Sequence, residues 1–240
     1  TDEDLLAHEI AHQWFGNMAT EKTFAHLWLS EGFATYMTIL YMENKYGSDT
    51  AIAMLQEDRQ QVINYERRST KPVIDTSTFY LSLLNPNNYQ KGGWILHMLR
   101  RQLGDSVFWK CLQTYYAEYG GKTADSDDLR RVFESVSGRD LKQYFMQWLT
   151  YPGNPHLDIS WQYDNIQKQV KMTVKQLQTP LFHFPLDIAI ISQAGEGAIQ
   201  HIAIENKEES FTFSFPEQPR ALVADPGTSL LFSGKISEVK

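Results

Sequence analysis

The stretch LLAHEIAHQWFGN, Leu5 to Asn17, sets two histidines four residues apart, with a glutamate directly after the first. On an α-helix four residues turn through 400°, so His8 and His12 fall within about 40° of one another and about 6 Å apart along the axis. Both imidazoles can then reach one cation from the same side. Glu9 lies about 60° from His12, on the flank of that stripe. It can touch a metal-bound water but is poorly placed as a ligand. Two ligands and a base are the geometric content of the HExxH pattern. The residues around it are Leu, Ile, Ala, Trp and Phe, which predicts a helix buried over much of its circumference. Two histidines and a glutamate in such a place need a compensating charge, and a cation supplies it.

A catalytic zinc takes three protein ligands and leaves a fourth place for water. A third histidine in the HExxHxxGxxH pattern is ruled out, because Phe15 and Met18 stand where its glycine and last histidine belong. The other source is a carboxylate on a following helix. LWLSEGFATY, Leu27 to Tyr36, offers Glu31 among Trp28, Leu29 and Phe33, on the same helix face as Leu27 and Ala34. A turn within residues 17–26 would let the two helices pack antiparallel.

Helical spacing continues to about residue 150. Patterns run over roughly 27–46, 50–67, 89–103, 105–119, 125–136 and 140–149, with an irregular loop before the fourth helix of the chain. YPGNP, Tyr151 to Pro155, breaks this pattern. Short alternating runs follow: HLDISWQY, QVKMTVKQL, FPLDIAII, AIQHIAIE, SFTFSF and RALVAD. Strands at this spacing predict a small antiparallel β-sandwich or barrel. The fold class is therefore α+β, with a helical domain over 1–151 and a β-sandwich over 152–240.

The 240 residues are 42% hydrophobic and 21% charged, enough apolar material for a core. A net charge of −7 argues against nucleic acid or an anionic membrane as partner. No apolar run approaches the roughly 20 residues of a membrane span. The single cysteine, Cys111, reads as a small buried hydrophobe. The motif begins only seven residues after Thr1, and no signal-peptide pattern precedes it, so the expectation is a fragment of a longer protein. Its compartment stays open.

HEIAHQWFGN and WLSEGFATY, with eighteen residues between His12 and Glu31, together resemble the aminopeptidase N family of zinc metallopeptidases, the gluzincins, with Ser30 where the family usually has asparagine. NYQKGGWILHMLRRQLG, from Asn88, is similar to the family segment that carries a catalytic tyrosine, and Tyr89 falls on that tyrosine. The β half also resembles the family's small sandwich domain. The resemblance implies the helical part of a thermolysin-like peptidase domain. It implies one zinc ion held by His8, His12 and Glu31, and peptide substrates cleaved at their N-termini. Glu9 would be the general base, and Tyr89 the donor to the tetrahedral oxyanion.

Family members also hold the substrate's amine with a GxMEN glutamate upstream of HExxH. Met42-Glu43-Asn44 lies after Glu31 instead and reads as a helix end, so that anchor belongs to an N-terminal half of the same protein. Alternatives are another hydrolysis, such as epoxide opening, or a non-catalytic binding scaffold. His26, His97, His156, His183 and His201 read as surface or packing residues, and Arg100-Arg101 as a solvated helix face. Lys91, near Tyr89, is close enough to touch substrate, but nothing in the sequence decides whether it does.

Overall fold

Asp2, Glu3 and Asp4 open α1 (Asp2–Ala11), where the positive end of the helix dipole favours acidic side chains. The computed structural model describes residues 2–76 and 79–239. Regular helix ends at Ala11, earlier than the Gly16-Asn17 signal suggests, but His12 keeps the turn by donating its amide to the His8 carbonyl over 3.2 Å. Gly16 then adopts φ +123°, and a side chain there would run into the Ser30 hydroxyl. Only glycine suits both conditions.

β1 (Ala19–Glu21) and a 3₁₀ turn at Phe24–His26 lead into α2 (Trp28–Tyr46), followed by α3 (Ser48–Glu66). A short 3₁₀ segment at Tyr80–Leu83 and a π-helical turn at Asn87–Lys91 precede α4 (Gly92–Leu103). α5 (Asp105–Tyr119), β2 (Lys122–Ala124), α6 (Ser126–Ser137) and α7 (Lys142–Thr150) complete this part. β1 pairs in parallel with β2, Ala19 opposite Lys122, which ties the α1–α2 connection to the far end of the helical part. Lys22 adds hydrogen bonds to Asp125 and Asp128, the two residues of the α6 capping box.

α2 is the central element: Trp28, Phe33, Ala34 and Tyr36 are all fully buried. They pack in a core with Trp94, Phe108, Tyr115, Phe133 and Trp148. α1 runs antiparallel to α2. Glu3, at one end, accepts hydrogen bonds from Tyr41 and Tyr46 at 2.7 Å and from Lys45, while His8 and His12 meet Glu31 at the other. The expected burial of α1 is not found. Leu5, Leu6, Ile10 and Trp14 are 48–62% exposed, and only Ala11 of this helix is buried. An apolar groove of about 330 Å³ runs along this side, lined by Leu6, Ile10, Trp14, Met37 and Tyr41 among others. The apolar letters were real, but among the described residues nothing covers them.

The chain divides into two units, Thr1–Gly153 and Asn154–Lys240, so the break falls slightly beyond Pro152. In the second unit β3 (His156–Asp164), β4 (Gln169–Gln176), β5 (Phe184–Ile191), β6 (Gly197–Ile204), β7 (Glu208–Ser214), β8 (Ala221–Ala224) and β9 (Ser233–Glu238) form two sheets, ordered β7-β4-β3-β9 and β6-β5-β8. Alternate residues such as Leu157, Ile159, Val170, Met172 and Val174 are buried, as a half-covered sheet requires. The pairings are antiparallel except one. β9 lies parallel to β3, Leu157 opposite Gly234, because the chain crosses from β8 in one sheet to β9 in the other instead of folding back as a hairpin.

Candidate metal centre

α1 presents His8 and His12, and the start of α2 presents Glu31. Their ligand atoms form a nearly equilateral triangle. The two Nε2 atoms lie 3.1 Å apart, and each lies 3.2 Å from Glu31 Oε2. A tetrahedral zinc with bonds of about 2.0–2.1 Å sets its ligand atoms about 3.3 Å apart, so this triangle has the right size. The donor chemistry agrees. His12 Nδ1 donates to the Phe15 carbonyl over 3.1 Å, which leaves the Nε2 lone pair facing the other two ligand atoms. Three electron-rich atoms thus converge on one point, an arrangement that calls for a cation or a shared proton. The histidine rings meet edge to face, 4.7 Å between centroids, so both nitrogens reach that point without ring overlap.

Electrostatics show the same demand for positive charge. The hydrogen bond to Glu31 holds the His12 imidazolium above the ordinary histidine range, against the effect of its partial burial. Burial alone would raise the Glu31 carboxyl, but the hydrogen bonds from His12 and His8 outweigh it and hold the group at about 2.

Tyr89 sits on the π-helical turn before α4. Its ring stacks on His8, with centroids 5.9 Å apart and planes 13° from parallel, and its hydroxyl lies close enough to Glu31 to feel the carboxylate. Burial and then the Glu31 charge push the phenol up, so it stays protonated. Glu9 is exposed, and among the described residues no hydrogen bond or ion pair holds it, though its charge is felt at both His12 and Tyr89. The structure therefore brings together all five residues that the sequence singled out. None of them lines the apolar groove along α1.

Other expectations are revised. Lys91 cannot touch a substrate. It is fully buried, and its ammonium donates to the Gly153 carbonyl over 2.6 Å and to Glu66 over 3.3 Å. Arg100 is not on a solvated face but forks onto Asp105 at 2.9 Å, with Glu43 at 2.7 Å on its other nitrogen. Glu43 of the Met-Glu-Asn stretch is therefore held by an arginine within its own helical unit. His97 is buried against Tyr36, while His26 accepts from the Ser126 hydroxyl. The backbone contact of Gly32 with Gly92, beside Glu31, went unread in the sequence. The Gly-Gly pair at 92–93 was the one signal that could have shown it.

With this geometry in view, comparison with known proteins is informative. The "Peptidase family M1 domain" matches residues 1–148. Aminopeptidase M1-C of Oryza sativa subsp. japonica is 30% identical over 158 residues, covering 64% of this chain and 18% of its own length. Aminopeptidase N of Haemophilus influenzae is 28% identical over 242 residues, 88% of this chain and 26% of that protein. The solved structure of Legionella pneumophila aminopeptidase A in complex with aspartic acid superposes over 97% of this chain and 26% of its own, with TM-score 0.80 at 20% identity. The chain thus spans 18–26% of the length of these relatives, and that structure shares its fold across both units. A family match over more than half of the sequence decides the assignment: the chain belongs to peptidase family M1.

Proposed function

We propose that this chain carries the zinc and proton-transfer machinery of an aminopeptidase, which removes N-terminal residues from peptides. The observation that carries this reading is the 3.1–3.2 Å triangle of His8, His12 and Glu31 atoms with Tyr89 on its edge. His8, His12 and Glu31 would hold one zinc ion. When bound there, zinc supplies Lewis acidity and lowers the pKa of water to about 7.

The chain's own residues supply the rest. Glu9, exposed and without a partner among the described residues, takes a proton on its carboxylate from the attacking water and delivers it to the departing amine nitrogen. The Tyr89 hydroxyl, kept neutral by burial, donates a hydrogen bond to the oxyanion of the tetrahedral intermediate. His12 is fixed in its tautomer by the Phe15 carbonyl. Glu43 is engaged by Arg100, so the anchor for the substrate's amine comes from another part of the full protein. The exposed apolar side of α1 is taken to be covered by that same part, in keeping with the greater length of the relatives.

The test is to assay the full-length protein on aminoacyl chromophores and on an epoxide, with and without a chelator. Turnover of the aminoacyl substrates that the chelator abolishes supports the reading. Glu9→Gln should keep the metal and lose about 10²–10⁴ in rate. A Glu9→Gln protein within threefold of the parent removes Glu9 from the mechanism. Epoxide opening alone would favour another hydrolase, and no turnover with metal bound would favour a binding scaffold.

A further inference from the structure

Tyr89 occupies a turn that an ordinary α-helix does not make. The Lys91 amide donates to the Pro86 carbonyl over 2.9 Å, and the Gly92 amide reaches back to Asn87, both spanning five residues. A π turn holds one residue more than an α turn, which rotates the side chains before it by about 100° relative to the helix that follows. The phenol therefore stacks on His8, beside the ligand triangle, only while the turn stays π. Asn87 and Asn88, weak helix formers, do not secure that by themselves.

Three buried side chains hold the turn. Asn87 donates its side-chain amide to the Lys71 carbonyl over 2.9 Å, and Asn88 to the Leu83 carbonyl over 2.8 Å. Each leaves its side-chain carbonyl buried without a hydrogen bond, so the arrangement is not the cheapest available. The third is Lys91. A buried ammonium is costly, and an apolar side chain of the same length would fill the space without that cost. Its two partners come from separate places, Glu66 at the end of α3 and Gly153 at the end of the helical unit. An ammonium donating in two directions constrains the turn in a way that an apolar chain does not.

We propose that Lys91 is a positioning residue for Tyr89: held between the Gly153 carbonyl and the Glu66 carboxylate, it keeps the turn in its π form and so keeps the phenol stacked on His8 at the edge of the ligand triangle. The proposal rests on the reading of Tyr89 as the oxyanion donor. It does not require Lys91 to meet substrate.

The experiment is a double-mutant cycle in the full-length protein, comparing the parent with Lys91→Met, Tyr89→Phe and both together. Lys91→Met should lower kcat about 10- to 100-fold, the scale of small misplacements at a reacting centre, with KM within twofold and zinc content unchanged. It should cost nothing further where Tyr89 is already phenylalanine. Amide hydrogen exchange should rise at 87–92 and stay unchanged at 95–103. A kcat within twofold of the parent overturns the proposal, and so does an equal loss in both backgrounds, the mark of a general structural role. If Tyr89→Phe alone leaves kcat unchanged, the reading of Tyr89 fails. Exchange then decides the clamp: a rise confined to 87–92 supports it, and no rise overturns it. Should Lys91→Met not accumulate as folded protein, Glu66→Gln runs the same cycle, with about a threefold loss expected. No loss, or equal loss in both backgrounds, again overturns the proposal.

Discussion

Gly32 and Gly92 meet backbone to backbone: a Cβ on Gly32 would lie 2.8 Å from both the Cα and the carbonyl carbon of Gly92, and 3.1 Å from the Asn88 carbonyl oxygen. Glu31 precedes one of these glycines, and Tyr89 lies three residues before the other. The close crossing of α2 and α4 is what brings the carboxylate and the phenol into one site, near enough for the Glu31 charge to act on the hydroxyl.

Gly32→Ala should therefore act on both stability and the site. The atoms in the way are backbone and cannot swing aside, so the helices must separate. Overpacking of this kind costs about 1–3 kcal/mol. An unfolding free energy from denaturant titration within about 0.5 kcal/mol of the parent would show that the crossing yields more easily than the geometry says.

How much of this was legible in the sequence depended on how local each signal is. His8, His12 and Glu31 follow from one helix period and one connection, and the structure brings them together as expected. Tyr89 was found only through resemblance, since a π turn leaves no periodic trace. The burial of α1 was misread because apolar letters do not say which partner covers them. Lys91 and Arg100 were misread for a related reason. A charged side chain reads as exposed until its partners, Glu66 and Gly153 or Glu43 and Asp105, are brought in from distant positions. β9, with its sequence SGKISE, has too few apolar residues to announce a strand and takes its place from parallel pairing with β3.

Metal content gives the second prediction. The purified full-length protein should hold one zinc per chain after dialysis, and His12→Ala should reduce it to less than about a tenth, since a two-ligand site is a poor zinc site. His26→Ala is the control, because His26 bonds Ser126 and takes no part in the triangle. Equal zinc in the parent and His12→Ala would place the metal elsewhere.

Asp58 on α3 should make stability depend on pH. Burial, and then the charge of Glu57, push its carboxyl from an ordinary 3.8 up to about 7. The folded state thus binds this proton more tightly than the unfolded chain does. The stabilisation is fully present below about pH 4 and is lost as pH rises through about 7. The gap between the two values is worth up to about 4 kcal/mol. Asp58→Asn stays neutral throughout, so its melting temperature should match the parent near pH 4 and exceed it at pH 8. Parallel curves for the two proteins would contradict the assignment.

Glu43→Gln in the full-length enzyme should leave KM within twofold of the parent. Its carboxylate is paired with Arg100, so the change loosens a contact between α2 and α4 and touches no substrate. A tenfold rise in KM for free-amine substrates, absent with N-blocked analogues, would make Glu43 the amine anchor after all.

Tyr89→Phe removes one hydroxyl and leaves a ring that can still stack on His8. The hydroxyl lies near Glu31, a member of the proposed ligand set, so its loss has two places to act, metal binding and turnover. The chemistry favours turnover. The triangle of ligand atoms is held by α1, α2 and the Phe15 carbonyl, none of which needs the phenol. A neutral donor matters most where negative charge develops, on the oxyanion of the tetrahedral intermediate. Loss of one such donor costs about 10²–10³ in kcat. The variant should therefore keep its zinc, hold KM within a few-fold and lose kcat on that scale. Steady-state kinetics together with metal analysis separates the cases. A rise in KM with kcat unchanged would make the hydroxyl a ground-state contact, and loss of zinc in step with activity would make it a support for Glu31.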